Sequence, residues 1–503
     1  MTPEHSPELA ARAAEQHVVV IGGGIGGLVA ARECAKVGMR VTVLEAASTL
    51  GGSIRSAQLG GIVVDVGAES FATRGGHVRA LVDELGLGDE VVAPQGGGAW
   101  LSGIPDAPDA PLPVGSLLGI PANPFQDDVR RIIGWRGAWR AYMDRLRPPL
   151  TIGHERSLGR LVSARMGRRV HDRLVAPVTA GVYSANPDDV DTDVAAPGLN
   201  AALTRVGSLS GAVGLLAAER KGKAPGAAVL GIRGGMGRLV EALRNDLLGY
   251  GVEVHTGVQA TRLDRDGKNW TVQTAPAEDA PGEDTPGEDA TADGTTVVRA
   301  TSESLTATAV IVATAEPPAR QLIDAHVSGL PTSSAAPEIE IITLLLDAPE
   351  LDTAPRGSGV LTVPGSHTAK ALTHSTAKWG WVRDAASDRH LVRVSFGSQG
   401  EAAATATLDD AAAAQLALTE ASALVGVPLQ PQQLLEFHRA RYVQAQPTSL
   451  IGAAERRAAA RAAIAAVPGL GVVGAWLAGT GLAQVIPDAV AEADRLRGDL
   501  LWD

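Results

Sequence analysis

The feature that most constrains this chain is the stretch at 17–46, HVVVIGGGIGGLVAARECAKVGMRVTVLEA. His17–Ile21 is a short β-branched run, the pattern of a strand buried on both faces. Gly22, Gly24 and Gly27 follow at once and fill the spacing G-x-G-x-x-G. Leu28, Ala31 and Ala35 then form a helical stripe that faces a sheet. Gly38 is a helix terminator, and Arg40–Leu44 reads as a second strand ending at Glu45. Strand, glycine turn, helix, strand and acid in that order predict a βαβ unit that holds a dinucleotide. Gly22 permits the tight turn, Gly24 removes a side chain where backbone nears a pyrophosphate, and Gly27 lets the helix approach the strand. The helix N-terminus offers unpaired N–H groups and partial positive charge to phosphates. Glu45 lies 18 residues beyond Gly27, where an acid accepts hydrogen bonds from ribose hydroxyls. Gly23, Ile25, Gly26 and Ala46 lie in the same turns and complete the expected contacts of this unit. An ordinary βαβ unit with a glycine-rich turn has no need of Glu45.

A second glycine turn, Gly51-Gly52, follows with Ser53 and Arg55; an apolar strand, Ile62–Val66, then leads to Gly67-Ala68-Glu69-Ser70. A simple nicotinamide domain would continue into a long helix here. The extension is similar to that of the FAD-binding glutathione-reductase and amine-oxidase group, so FAD is the expected cofactor. Near the other end, Gly471–Ala478 reads as a buried strand and Gly479-Thr480-Gly481 as a turn. Val485 and Ile486 follow, with Pro487 at the first position of a helix, where its missing N–H is harmless. That helix N-terminus would aim positive charge at the bound ring. The two ends of the chain are therefore expected to fold together around one cofactor.

At 503 residues the chain exceeds what one core organises, and a composition of 45% hydrophobic and 20% charged residues is globular. A net charge of −12 argues against general nucleic-acid binding. The single cysteine, Cys34, excludes an internal disulfide and any multi-cysteine metal site. Residues 1–16 read as a disordered tail without a signal-peptide core. The expected organisation is FAD-binding segments at 17–75, 226–320 and 441–503, a helical and substrate segment at 76–225, and a substrate-binding sheet at 321–440. Leu239, Leu243 and Leu247 mark a helix, Val252–His255 and Ala309–Ala313 strands. Residues 275–302, rich in Pro, Gly and acids, read as a solvated acidic loop between strands at Trp270–Thr274 and Thr295–Arg299. In 130–147, Trp135, Trp139 and Tyr142 fall on one helical face among arginines. The first expectation is a core-facing stripe; the alternative is an interfacial helix for an anionic membrane or a carboxylated ligand.

Taken together, IGGGIGGLVAA at 21–31, VDVGAESFATR at 64–74, PLPVGSLLGIPANP at 111–124, APVTAGVYSANPDDV at 176–190, GIRGGMGRLVEAL at 231–243, STAKWGWV at 375–382 and GAWLAGTGLAQVIPDAVAEA at 474–493 give the chain a family likeness. It resembles the oxygen-dependent protoporphyrinogen and coproporphyrinogen III oxidases, and most the coproporphyrinogen III branch of Gram-positive bacteria. The resemblance implies an α/β fold (α+β overall): a Rossmann-like FAD-binding domain of the glutathione-reductase/amine-oxidase type, an inserted substrate-binding sheet domain and a helical subdomain. It implies oxidation of a porphyrinogen by hydride transfer to the flavin in three two-electron steps, with O2 as acceptor and peroxide as product. No catalytic side chain is required, because the flavin carries the chemistry. Protoporphyrinogen IX, or an amine or polyene acted on by another flavin oxidase, is the alternative substrate, and an FAD-binding protein without turnover a third reading.

The same resemblance places Val258 against the adenine and puts Gly181 and Tyr183 at the border of the substrate cavity. An apolar macrocycle with anionic propionates calls for an aliphatic chamber with cations at its mouth; Arg74 is the first candidate and Lys378 the second. The implied setting is the cytoplasm, with a transient haem-pathway enzyme as partner and a peripheral contact with the inner membrane face left open. The sequence departs from the family at Ser53, at Gly96–Ala99 and at Pro447–Ala453.

Overall fold

A computed structural model describes residues 6–95, 97–147, 155–219, 229–277, 303–333, 336–443 and 449–502. The acidic stretch from 278, the expected strand Thr295–Arg299, Gly96 and Pro447-Thr448 lie outside them.

The β-branched run at 17–21 forms the centre of a five-stranded parallel sheet. Its order is Glu253–Thr256, Arg40–Glu45, His17–Ile21, Ala309–Val312 and Leu470–Val472. Every residue of His17–Ile21 is buried, as expected of a strand covered on both faces. Helix Ile25–Ala35 packs on one face beside helix Gly237–Gly249, whose Leu239, Leu243 and Leu247 are all buried. A three-stranded antiparallel sheet, Val258–Asp266, Asn269–Pro276 and Ser304–Ala307, covers the other face.

A second sheet has seven strands in the order Leu434–Val443, Glu338–Leu346, His390–Phe396, Ala371–His374, Gly359–Thr362, Ala99–Ser102 and Ala110–Pro111. Helix Asp410–Val425 covers one of its faces through Ala413, Ala417, Ala421 and Leu424. The helices from Asp127 to Glu219 build a third core around Ile132, Ile133, Leu158, Val170 and Leu174, which also takes in Leu101 of the second sheet.

Four expectations are corrected. Residues Ser6–Glu15 form a helix rather than a disordered tail, and Ala13 is 1% exposed in the core of the first sheet. Alanine-rich sequence supplies the helix propensity, and the contact holds it. The predicted strand at 471–478 ends at Val472; Gly474, at φ +130°, turns the chain and Ala475–Ala478 is a helical turn. The last helix runs Leu482–Trp502 with Pro487 inside it. It starts a turn early because the Gly481 carbonyl accepts from the N–H groups of Gln484 and Val485.

The fourth correction concerns the aromatic helix, Asp127–Tyr142. Gly134 interrupts it at φ +67°, a conformation that glycine adopts without cost. The carbonyls freed there, of Ile133 and Ile132, accept from Arg169 and Arg173, each at 3.0 Å. The break turns Ile132, Ile133, Ala138 and Ala141 inward and leaves Trp135 60% and Trp139 56% exposed. These tryptophans are not a core stripe.

Candidate active site

The glycine turns meet backbone to backbone. The N–H of Gly51 donates to the Gly23 carbonyl at 2.9 Å, and Gly24 bridges to Gly51 in parallel. Gly22 holds φ +112°, and a Cβ there would lie 2.8 Å from the Ala313 carbonyl. A Cβ on Gly27 would lie 2.0 Å from the Gly22 oxygen, so this glycine is fixed by packing. Gly24 differs: its Cβ would meet only Gly52 Cα, at 3.9 Å. The protein itself leaves room for a side chain at Gly24, which points to a ligand as the reason for its absence. Helix Ile25–Ala35 starts with no side-chain cap at Gly24, so N–H groups remain for an anion.

Glu45 stands at the far wall. Its Oε2 accepts from Gly23 N at 2.6 Å and its Oε1 from Ala47 N at 2.8 Å. The two backbone bonds fix the carboxylate while each oxygen keeps a lone pair for a hydroxyl donor. Val258 begins its strand beside it, since the preceding Gly257 donates to the Ala47 carbonyl at 2.9 Å. Val258 is buried among Ile21, Leu44 and Val312.

Segments 51–55 and 66–68 run alongside each other: Ala68 N donates to Ser53 O at 3.0 Å and Val66 N to Arg55 O at 2.9 Å. A Cβ on Gly67 would meet Ser53 O at 2.2 Å and the Tyr442 hydroxyl at 2.9 Å. Arg55 donates to Gly52 O and lies over the Tyr442 ring. Beyond Gly67, Glu69 receives Lys378 on one oxygen and Arg393, at 2.9 Å, on the other. Arg393 also donates to Gly67 O at 2.5 Å. Burial pushes the Glu69 carboxyl up, but Arg393 and Lys378 outweigh it and hold it below its ordinary value. Lys378, expected at the substrate, therefore has a carboxylate partner in Glu69. Ser70 follows, partly buried.

Asp65 ties this segment to the GIRGGMGR turn, accepting Met236 N at 3.0 and 2.9 Å. Burial raises its pKa to about 6 against the lowering effect of the Met236 N–H and Arg393.

The chain ends close the same site. Val485 and Ile486 are buried, and Val485 Cγ1 would be 3.2 Å from a Cβ on Gly26. Ile486, Ala489 and Ala493 share a core with Leu28 and Val29. Among the described residues, Trp476 Nε1, Gln484 Oε1, Arg393 Nε and Tyr442 OH are buried polar atoms without partners. Four such atoms beside backbone turns that exclude side chains fit a polar cofactor, and the chemistry of the set fits FAD: an acid for ribose, N–H groups for the diphosphate, and a helix start at Leu482.

Of the residues expected at the substrate, Arg74 is exposed just past the strand Phe71–Ala72. It stands close enough to Tyr183 for its charge to oppose the upward push of burial on the phenol. Gly181 is a packing position, because its Cβ would meet Leu361 Cδ2 at 2.5 Å; it seats helix Ala176–Tyr183 on strand Gly359–Thr362. Sequence reasoning missed Arg393 and Tyr442. The available signal was an arginine within the apolar run HLVRVSF, since a lone cation in a buried strand needs a carboxylate.

A chain from Mycobacterium leprae named coproporphyrinogen III oxidase is 29% identical over 493 residues, covering 96% of this chain and 98% of that one. The protein of the same name from Mycobacterium tuberculosis H37Rv is 29% identical, covering 95% of each. Among solved structures, a candidate protoporphyrinogen oxidase from Exiguobacterium sp. 255-15 superposes with a TM-score of 0.77 at 21% identity, over 96% of this chain and 99% of that one. A putrescine oxidase variant reaches 0.63 at 14% identity, over 97% and 99%. The model of the flavin-containing amine oxidoreductases matches residues 25–496, and the chain belongs to that family.

Proposed function

We propose that this flavoprotein oxidises a porphyrinogen, with coproporphyrinogen III as the preferred substrate and protoporphyrinogen IX as the alternative. The observation that carries the reading is the full-length likeness to mycobacterial coproporphyrinogen III oxidases, in a chain whose Arg74 is near enough to act on Tyr183 by charge and has no ion pair among the described residues. When bound, FAD supplies two-electron oxidation. Three such steps remove six electrons and six hydrogens from the macrocycle, and three O2 leave as three H2O2.

The chain's own residues position and enclose. The Gly22–Gly27 turn and the start of helix Ile25–Ala35 receive the diphosphate, and Glu45 the ribose hydroxyls. The Glu69–Lys378–Arg393 cluster locks the Gly67–Ser70 segment to the seven-stranded sheet, and the Leu482 helix start lends positive charge. Among the described residues no single helix is long and apolar enough to cross a membrane. Exposed Trp135 and Trp139, with Arg130 stacked 4.2 Å above the Trp135 ring, support peripheral contact with an anionic membrane face on the cytoplasmic side, where a haem-pathway enzyme could collect the product.

The test is turnover by the flavin-loaded protein in air. Coproporphyrinogen III should give porphyrin fluorescence with a stoichiometric rise in peroxide, faster than protoporphyrinogen IX. A flavin bleached by putrescine or another amine but by neither porphyrinogen would replace this reading with an amine oxidase. A flavin bleached by none would make it a binding protein.

A further inference from the structure

Lys370 precedes the strand Ala371–His374, and its Nζ donates to Ser184 Oγ at 2.7 Å. It is largely buried, and among the described residues no carboxylate lies within ion-pair distance of it. Half-buried Arg140 and Arg173 are met by backbone carbonyls, and the arginines buried more deeply are paired with carboxylates. Arg32, Arg165, Arg393 and Arg439 pair with Asp246, Asp144, Glu69 and Glu340 respectively. A buried charge without a counter-charge is costly, and a chain keeps one where an anion arrives from outside. Burial alone pulls the lysine down, to about 8.

Ser184 is itself constrained. It sits at the end of helix Ala176–Tyr183 at φ +51°, ψ +34°, uncommon for a residue with a side chain. Its carbonyl accepts from Gln399 N at 2.9 Å, and Gln399 Oε1 is a buried acceptor without a partner among the described residues. The adjacent Tyr183 faces Arg74, the other cation of this wall that has no carboxylate partner among the described residues. Arg74, Tyr183, Ser184 and Lys370 thus make a continuous run of two cations and two hydroxyls, one cation exposed and the other recessed.

We propose that Lys370, held in place by Ser184, is a second carboxylate anchor that receives one propionate of the substrate while Arg74 receives another. The inference deepens the porphyrinogen reading and rests on it. Propionates on neighbouring rings of one macrocycle would meet a recessed lysine and an exposed arginine in turn, so the pair would select a substrate by the number and spacing of its carboxylates.

The test uses the full flavin-loaded protein with Lys370→Met, Lys370→Arg and Ser184→Ala. Each is first checked for wild-type flavin content and melting temperature, and Ser184→Ala stands in if Lys370→Met fails this check. Two readouts follow: steady-state oxidation of coproporphyrinogen III, and equilibrium binding of coproporphyrin III against its tetramethyl ester. Lys370→Met should raise KM and the coproporphyrin Kd by about tenfold or more, the worth of one charge-assisted hydrogen bond. It should leave kcat within about threefold of wild type by the logic of lost uniform binding, and ester binding unchanged. Lys370→Arg should restore most of the affinity. In the wild type, coproporphyrin affinity should fall as pH rises through about 8, as the ammonium is lost; Lys370→Arg should lack that fall. The other charged or titratable groups on the elements packed around this run are Arg74, Tyr183, His367, Glu401 and Glu420, with His374 on the strand that Lys370 precedes and His390 and Arg393 on the strand paired to it. Their contribution is whatever survives in Lys370→Arg. An unchanged KM and Kd in a folded Lys370→Met, or equal loss of acid and ester binding, overturns the anchor. Absence of turnover by the wild type overturns the porphyrinogen reading instead, and the acid-against-ester comparison still judges the anchor.

Discussion

The guanidinium of Arg393 reaches out of the second sheet to the backbone oxygen of Gly67 at 2.5 Å, while its other arm holds Glu69 at 2.9 Å. One side chain thereby joins the strand His390–Phe396 to the Gly67–Ser70 segment. Arg393→Met leaves the Glu69 carboxylate with Lys378 as its one cation among the described residues and strands the Gly67 carbonyl. The expected cost is about 3 kcal/mol, the low end for breaking a buried pair. Flavin content should fall with it. Denaturant titration and the ratio of flavin to protein absorbance measure the two, and a variant with wild-type values for both would show the link to be ornamental.

Gly24 and Gly27 should separate cofactor binding from folding. Gly27→Ala forces a Cβ to 2.0 Å from the Gly22 oxygen and should lower both stability and flavin content. Gly24→Ala meets nothing closer than 3.9 Å, so the apoprotein should melt as wild type while flavin affinity drops by about tenfold or more, roughly the loss of one good polar contact. Calorimetry on apoprotein and flavin titration distinguish them.

Asp65 predicts a pH signature. Its folded pKa, about 6, lies above the unfolded carboxylate value near 4. The folded state therefore binds the proton more tightly, and the contribution of Asp65 to stability is greatest below pH 4. It declines as pH rises from about 4 to about 6 and is flat above. Asp65→Asn removes the titration, so the wild-type minus variant stability should fall by on the order of 3 kcal/mol across that window. Thermal melts at half-unit pH steps would reveal it; a flat difference contradicts the burial argument.

Trp135 and Trp139 are predicted to serve a surface and not the core. Replacing both by Ser should change stability by no more than about 1 kcal/mol, as for exposed positions. Co-sedimentation of the wild type with vesicles rich in phosphatidylglycerol should be salt-sensitive and lost in the double variant. Wild-type protein that ignores such vesicles at low salt removes the membrane contact.

What was readable from sequence followed from local rules. The βαβ unit announced itself because strand, glycine turn, helix and acid occur in one continuous run, and the predicted strands at 17–21, 40–44 and 309–313 form the parallel sheet. The burial of Leu239, Leu243 and Leu247 followed from helical spacing alone. Arg393 and Lys370 escaped because their roles depend on Glu69 and Ser184, far away in the chain. The orientation of Trp135 depended on one backbone angle at Gly134, and periodicity counted through that break assigned the wrong face. Pro487 misled because a proline six residues into a helix obeys the same local preference as one at its start, only less often.

Val485 rests on Gly26, so the pocket opened by the first thirty residues has no roof until Leu482 and its neighbours have been synthesised. A polypeptide emerging from the ribosome would carry a half-made nucleotide cleft throughout most of translation. Capture of the yellow coenzyme should accordingly wait until the Leu482–Trp502 helix has emerged, making pigment uptake a late event in maturation.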